Sequence, residues 1–315
     1  ATIDASSERY EIISENIRYT DKLLGGEGLT GTLDSMGNHT RHGTRIVAGS
    51  IVMEVGPYDL DNWLPRIFGN PAASSTSTTF TTDEVFDLLP FDIMLRRDQG
   101  TVQYRACSVS SATFTSTASV GGQGQVMRMT LQIIGHEEQT GTWPTTPPPL
   151  PDGERLYWLL GDGKLMMTAL ADTLPVAAAN VPIEYYFDSF SLRIDNNLRP
   201  KTRNFLKVVC IQSNGRSIRL RVRTPYTAST HTNLYINFFK GAGVLSFLGG
   251  QPSHNNMEVD ALYKTVITLP DLRQTRVTPS TSGPSEIPLS LDLEAYRVGG
   301  VSPTEPISIL NTHPA

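Results

Sequence analysis

The sequence predicts a mainly β chain built from two tandem β-sandwich or barrel-like units, each carrying a short helix and a long loop. Three observations predict it. A pattern occurs twice: Arg45–Gly56 runs into Pro57-Tyr58 and an apolar-periodic stretch ending at Gly69, and Arg216–Thr224 runs into Pro225-Tyr226 and a second such stretch ending at Gly241. A proline run, Gln139–Gly153, separates the copies. Each half also ends on a strictly alternating strand, Gln125–Ile134 and Ile287–Tyr296.

Taken in order, residues 1–20 are polar and weakly periodic and read as an N-terminal arm. Residues 21–140 form the first unit. Arg45–Glu54 is its first clear strand, and the helix after Pro57 places Leu60, Trp63, Leu64, Ile67 and Phe68 on one face. Asp59 is the expected cap, and Pro65 is expected to kink or shorten the helix. Asn70–Phe80 reads as a long loop, and Phe91–Arg97 and Gln103–Ser116 as strands. In Gln125–Ile134 the alternation sets Met127, Met129, Leu131 and Ile133 against Arg128, Thr130 and Gln132.

Residues 141–153 form the linker, stiffened by prolines that fix φ. Residues 154–297 form the second unit. Its expected strands are Glu184–Asp195, Leu206–Gln212, Arg216–Thr224, Tyr263–Leu269 and Ile287–Tyr296, with a helix capped by Thr227 and a glycine-rich loop over Lys240–Asn256. Residues 298–315 read as a C-terminal arm. Both arms are expected to order on a neighbouring copy.

The chain has 315 residues and a net charge of −5. Residues 1–150 hold 17 acids and 10 bases (−7), and residues 151–315 hold 14 and 16 (+2). That asymmetry suits contact between the first half of one copy and the second half of another, and it disfavours a general nucleic-acid binder. No apolar run reaches the roughly 18 residues of a membrane span. The N-terminus has neither the basic nor the apolar region of a signal peptide. Cys107 and Cys210 fall one per half inside expected strands and read as buried, reduced thiols.

Catalytic chemistry finds little support, and no catalytic, cofactor or metal residue is assigned. There is no Gly-x-Ser-x-Gly elbow. His136-Glu137-Glu138 lacks the second histidine of a zinc helix, and His39 and His42 lie in loop composition. Gly25–Gly28 and Gly161–Lys164 lack P-loop spacing and read as turns. The Arg216, Arg219, Arg221 and Arg223 group carries more information. Arg219, Arg221 and Arg223 alternate with Leu220 and Val222, so a strand projects three guanidinium groups from one face. Such a row can meet nucleic acid, acids of another subunit, or solvent. An intersubunit contact is favoured, because stacked like charges call for partners.

Arg45–Glu54, Pro57, Leu60–Gly69, Pro90-Phe91-Asp92 and Tyr104–Val109 resemble segments of the tail tube (major tail) proteins of long-tailed, non-contractile bacteriophages of siphophage type. Asp188–Leu198 is the most family-like segment, and Leu269–Leu272, Thr278-Pro279 and Glu286–Leu291 continue the likeness. The resemblance spans residues 40–312.

The resemblance implies a structural virion protein without enzyme activity. It implies strands of neighbouring subunits joined in an intersubunit β-barrel, rings stacked into a tail tube, and a lumen that passes DNA without binding it specifically. It also implies tail terminator, tape measure and distal tail proteins as partners, no cofactor, assembly in the host bacterial cytoplasm and residence in the virion tail. A doubled unit closes a pseudo-sixfold ring with three copies, and a hexamer of whole chains is the alternative. The competing function is a β-sandwich receptor- or carbohydrate-binding virion module, for which Tyr185-Tyr186-Phe187 or Phe238-Phe239 would supply the aromatic surface.

Overall fold

A computed structural model describes residues 9–25, 40–69, 77–81, 88–98, 100–118, 126–145, 157–159, 163–169, 182–202, 208–227, 230, 234, 239–249, 263–279, 288–298 and 305–312. The fold is mainly β, as the alternating patterns require. The first half contributes β1 (Ser14–Glu15), β2 (Arg18–Gly25), β3 (Thr40–Glu54), β4 (Ser77–Thr81), β5 (Phe91–Arg97), β6 (Gly100–Thr117), β7 (Arg128–Gly135) and β8 (Glu137–Thr140), with helix α1 (Pro57–Phe68) after β3. The second contributes β9 (Gly163–Ala169), β10 (Pro182–Tyr185), β11 (Ser189–Asp195), β12 (Leu198–Thr202), β13 (Val208–Ser213) and β14 (Ser217–Pro225). It continues with β15 (Lys240–Gly249), β16 (Tyr263–Pro279), β17 (Pro288–Ala295) and β18 (Ser308–Thr312).

Sixteen of these strands form one sheet, with β12 and β13 as a separate pair. Its main path runs β1-β3-β7-β6-β11-β14-β17-β16-β15-β9-β10, and every pairing is antiparallel. The doubling seen in the sequence is therefore a doubling of topology. In the first half β3 is flanked by β1 and β7, and β7 pairs on with β6. In the second half β14 is flanked by β11 and β17, and β17 pairs on with β16. The first parts of the two long strands also match. β6 there lies between β5 and β8, and β16 between β15 and β18. A β-bulge falls in each long strand beside its closing partner, at Val109/Ser111 and Gln274/Arg276.

The halves meet where β6 pairs with β11, Ser111–Thr117 opposite Asp195–Ser189. They meet again where β4 pairs with β18. One hydrophobic core runs through both. It includes Ile51, Met53, Phe114, Met129 and Leu131 from the first half and Leu192, Ile194, Leu220, Leu291 and Leu293 from the second. Helix α1 lays Leu60, Trp63, Leu64, Ile67 and Phe68 into this core, the face its 3.6-residue periodicity defines.

Four expectations need correction. The helix runs its full twelve residues with Pro65 inside it, and Gly69 closes it in the left-handed region at φ 85°, its N–H bonding the Pro65 carbonyl. Asp59 is the third helical residue rather than the cap. Pro57 opens the helix, and Asp59 Oδ2 accepts the Gly56 N–H at 3.0 Å. Residues 240–249 of the expected glycine-rich loop form β15. A Cβ at Gly241 would run into the Thr168 carbonyl and one at Gly243 into Leu272, so these glycines permit close strand approach instead of a turn. In the expected arms, residues 14–15 and 18–20 pair with β3, and 308–312 form a strand whose Ile309 and Asn311 are buried.

Other expectations fall partly outside the described residues: most of the linker, the Asn70–Phe80 loop up to residue 76, and most of the second helix. Its start is described. Thr227 and Thr230 exchange side-chain bonds with each other's N–H groups, at 3.2 and 2.7 Å, in a reciprocal cap.

Both cysteines are free, Cys107 fully buried in β6 and Cys210 part-buried. Burial, helped by the Asp92 carboxylate, pushes the Cys107 thiol from about 9 up to about 12. The unfolded chain loses this proton above about pH 9 while the folded chain holds it, so the thiol's contribution falls as pH rises through that window. Urea unfolding between pH 9 and 10 should show a loss of stability steeper in wild type than in Cys107→Ala, by about 1 kcal/mol per pH unit.

Candidate functional site

The arginines singled out by sequence separate into two sites. Arg216 lies before β14, part-buried against the C-terminal end of α1. Its Nε donates to Asn196 Oδ1 at 2.7 Å, its Nη2 to the Phe68 carbonyl at 3.1 Å, and its guanidinium lies 5.7 Å from the Phe68 ring centre. Burial pulls its pKa down to about 10. Asn196 is fully buried and donates to the carbonyls of Ile67 (2.9 Å) and Val109 (3.0 Å). Its own N–H and C=O bond Ser110 and Ser213, so it ties α1, β6 and the β13–β14 turn together. Arg216 is thus an internal clamp and not a member of the exposed row.

Arg219, Arg221 and Arg223 do share one exposed face of β14, with Ile218, Leu220 and Val222 buried beneath. The face continues across the sheet by register. Arg219 stands opposite Arg193 of β11 and Glu294 of β17, Arg221 opposite Ser191 and Asp292, and Arg223 opposite Ser189 and Ser290. Arg219 Nε lies 3.6 Å from Glu294 Oε1. Arg221 Nε bonds Asp292 Oδ1, which raises the guanidinium pKa further. The two arginines therefore take carboxylates from the polar side of β17, a strand whose alternation was legible but whose register was not. Arg223 stands between two serines and has no ion pair among the described residues. With two members neutralised and one without an ion pair among the described residues, the row is an exposed face of mixed charge.

The other sequence candidates separate. His136 sits at the bend between β7 and β8, and Glu137 Oε1 lies 3.9 Å from Arg105 Nη1. Gly25 ends β2, Gly163 and Lys164 open β9, and His42 lies in β3, while 26–28, His39 and 161–162 fall outside the described residues. Among the described residues no group of three His, Cys, Asp or Glu side chains is placed to hold a metal. Of the aromatic candidates, Tyr185 and Phe239 are buried and Phe187 packs on the core, its ring 6.0 Å from Phe190. Tyr186 alone is open, 80% exposed, and Phe238 is outside the described residues.

Sequence reading missed the buried asparagines. Asn311 of β18 donates to the Pro57 carbonyl (2.8 Å) and Asp61 Oδ1 (2.7 Å) and accepts from Thr265 Oγ1 (2.7 Å), holding the other end of α1. It also missed Ala106, which adopts φ 47° where β6 changes partners and whose N–H is held by Asp92 Oδ1 at 2.9 Å. Asn196→Ala strips two carbonyls and a part-buried guanidinium of their partner, and the expected loss is roughly 3 kcal/mol or more in urea unfolding. Arg223→Gln, at an exposed residue without an ion pair among the described residues, should change stability by less than about 0.5 kcal/mol in the same assay.

No curated protein matches the chain. A family model described as phage tail tube protein matches residues 26–295. That span runs from the first long strand through the last strand of the doubled core, so the chain belongs to the phage tail tube protein family.

Proposed function

We propose that the chain is a structural, non-enzymatic subunit that self-assembles into stacked rings. These form a tail tube of siphophage type through which DNA passes to the host without specific binding. The observation that carries this reading is the family match over residues 26–295. The sheet supports it: its two units are joined edge to edge inside one chain, and edge joining between chains uses the same physics and removes exposed strand edges. Three copies close a pseudo-sixfold ring under this reading, and six whole chains are the alternative outcome. Tail terminator, tape measure and distal tail proteins are the partners it requires, with assembly in the host cytoplasm and final residence in the virion tail. Among the described residues of the two aromatic candidates only Tyr186 is exposed, which gives little support to a receptor- or carbohydrate-binding module.

Within this reading Arg219, Arg221 and Arg223 form an intersubunit contact, and Arg223 contributes most because its charge is uncompensated among the described residues. Their complement is the acidic first half of another copy. Arg216, clamped inside the chain, contributes only through the fold.

Concentrated protein should form hollow tubes or rings by negative-stain microscopy, and persistent monomers would sink the proposal. Neutralising Arg219, Arg221 and Arg223 to Gln should reduce polymerisation at least tenfold by sedimentation, an effect of about 1.4 kcal/mol. Normal tubes from a folded triple variant would remove the arginines from the interface.

A further inference from the structure

The doubled topology leaves one position unfilled. On β6 the strand β5 covers Gly100–Cys107, and β11 follows on the same side along Ser111–Thr117, opposite β7. On β16 the strand β15 covers Tyr263–Arg273 in the place of β5. The Phe239–Gln274 contacts extend that cover by one residue. β17 then occupies the place of β7 along Leu272–Pro279. No described strand lies along Thr275–Pro279 in the place that β11 takes on β6.

A second edge has no partner among the described strands, at the β1 end of the path. In the first unit β1 stands to β3 as β11 stands to β14: Ser14 is opposite Val52 and Glu15 opposite Ile51, while Ser191 is opposite Arg221 and Leu192 opposite Leu220. β11 is covered on its far side by β6, whereas β1 ends the path. The residues around it are unusually apolar for an edge, with Ile12 39% and Ile13 50% exposed. Among the described residues there is thus one open socket, on β16, and one open strand, β1, and the β6–β11 junction is their filled counterpart.

We propose that β1 of one copy pairs antiparallel with Thr275–Pro279 of β16 in the next copy, so that each intermolecular junction repeats the β6–β11 junction inside the chain. This rests on the self-assembly reading and names the edges through which it occurs. The register follows from the internal junction. Thr115 stands opposite Ser191 on β6–β11. Val277 of β16 faces Leu291 as Phe114 of β6 faces Met129, which makes Thr278 the counterpart of Thr115. Ser14 is the counterpart of Ser191 through their partners Val52 and Arg221. Thr278 therefore meets Ser14 of the next copy, both on the sheet face that carries the arginine row, and Val277 meets Glu15 on the opposite face. Pairing covers Ile13 and Val277 together. The junction uses a different end of each chain from its neighbour, a head-to-tail contact that closes into a ring when the per-unit rotation closes.

The test mixes two single variants, Ser14→Cys and Thr278→Cys, each in a Cys210→Ser background, lets them co-assemble, and oxidises. A covalent dimer should hold about a quarter to a half of the assembled chains in an equimolar mixture, half being the ceiling for random co-assembly, and stay below a tenth in either variant alone. Assemblies without dimer, or equal dimer from one variant alone, would overturn the pairing while leaving the tube reading intact. Ile13→Lys gives an independent readout, since it places a charge on an exposed edge and should leave the monomer's circular dichroism and unfolding midpoint unchanged. Its polymerisation should drop at least tenfold, and normal assembly would overturn the proposal. Failure of the wild-type chain to assemble at all would overturn the wider reading and this one with it.

Discussion

The structure depends on how the two ends of one helix are satisfied. Helix α1 lies against a core shared by both halves, and its last carbonyls have no partner within the helix. Those of Ile67 and Phe68 are met by Asn196 and Arg216, and at the other end, where carbonyls already accept within the helix, Asn311 adds a second bond to the Pro57 carbonyl and holds Asp61. All three donors come from the second half of the sequence, while the helix comes from the first. A buried carbonyl without a donor costs about 1–3 kcal/mol, comparable with the burial of one of the helix's own apolar side chains. The clamps therefore make the first half's helix and the second half's turns mutually dependent, whatever each half can do alone.

That dependence explains why the copies match in topology and differ in residues. Strand pairing asks only for alternation and register, which many sequences satisfy, and both units keep the same sequence of pairings and a bulge beside the closing strand. The clamp asks for specific donors at specific places. Asn196 follows β11 in the second unit, where one amide can reach both α1 and β6. The Asp188–Leu198 segment therefore stands out as family-like for a reason of packing: it holds a junction strand and the residue that locks that junction to the helix.

Period-two alternation was legible wherever a strand buries one face, so β7, β14 and β17 stand where the pattern of Met129, Leu220 and Leu291 puts them. The apolar face of α1 was equally legible. Register was not, because alternation is blind to sliding by two. Asp292 and Glu294 fall on the polar side of the β17 alternation, but nothing local says they stand beside Arg221 and Arg219. Composition misled at Gly241 and Gly243, since a glycine that makes room for a neighbouring backbone looks the same as one that makes a turn. The buried asparagines were invisible for a related reason. Asn is ordinarily a surface and turn residue, and only a long-range partner such as Ile67 or Pro57 makes its burial favourable.

A sheet with unpaired strand edges needs protection from indiscriminate pairing, and the two stretches left unpaired among the described strands, on β16 and β1, are protected differently. Along β16, Arg276 is exposed with its guanidinium bonded to Thr278, and Pro279 offers no N–H, so the open stretch is short, charged and ended by a residue that cannot extend a ladder. Along β1, Glu15 is held by Arg97 through two bonds of 2.9 and 3.0 Å, and the Ile17 carbonyl beyond it accepts from both Arg97 and Tyr104. These contacts hold the residues that follow β1 within the chain and leave only a few residues able to pair. Each edge is too short to template open-ended aggregation, and the register proposed for their pairing is one that the interior of the same chain already realises at β6–β11. Short edges with a fixed register favour one partner geometry over many, the bias that the proposed self-assembly requires.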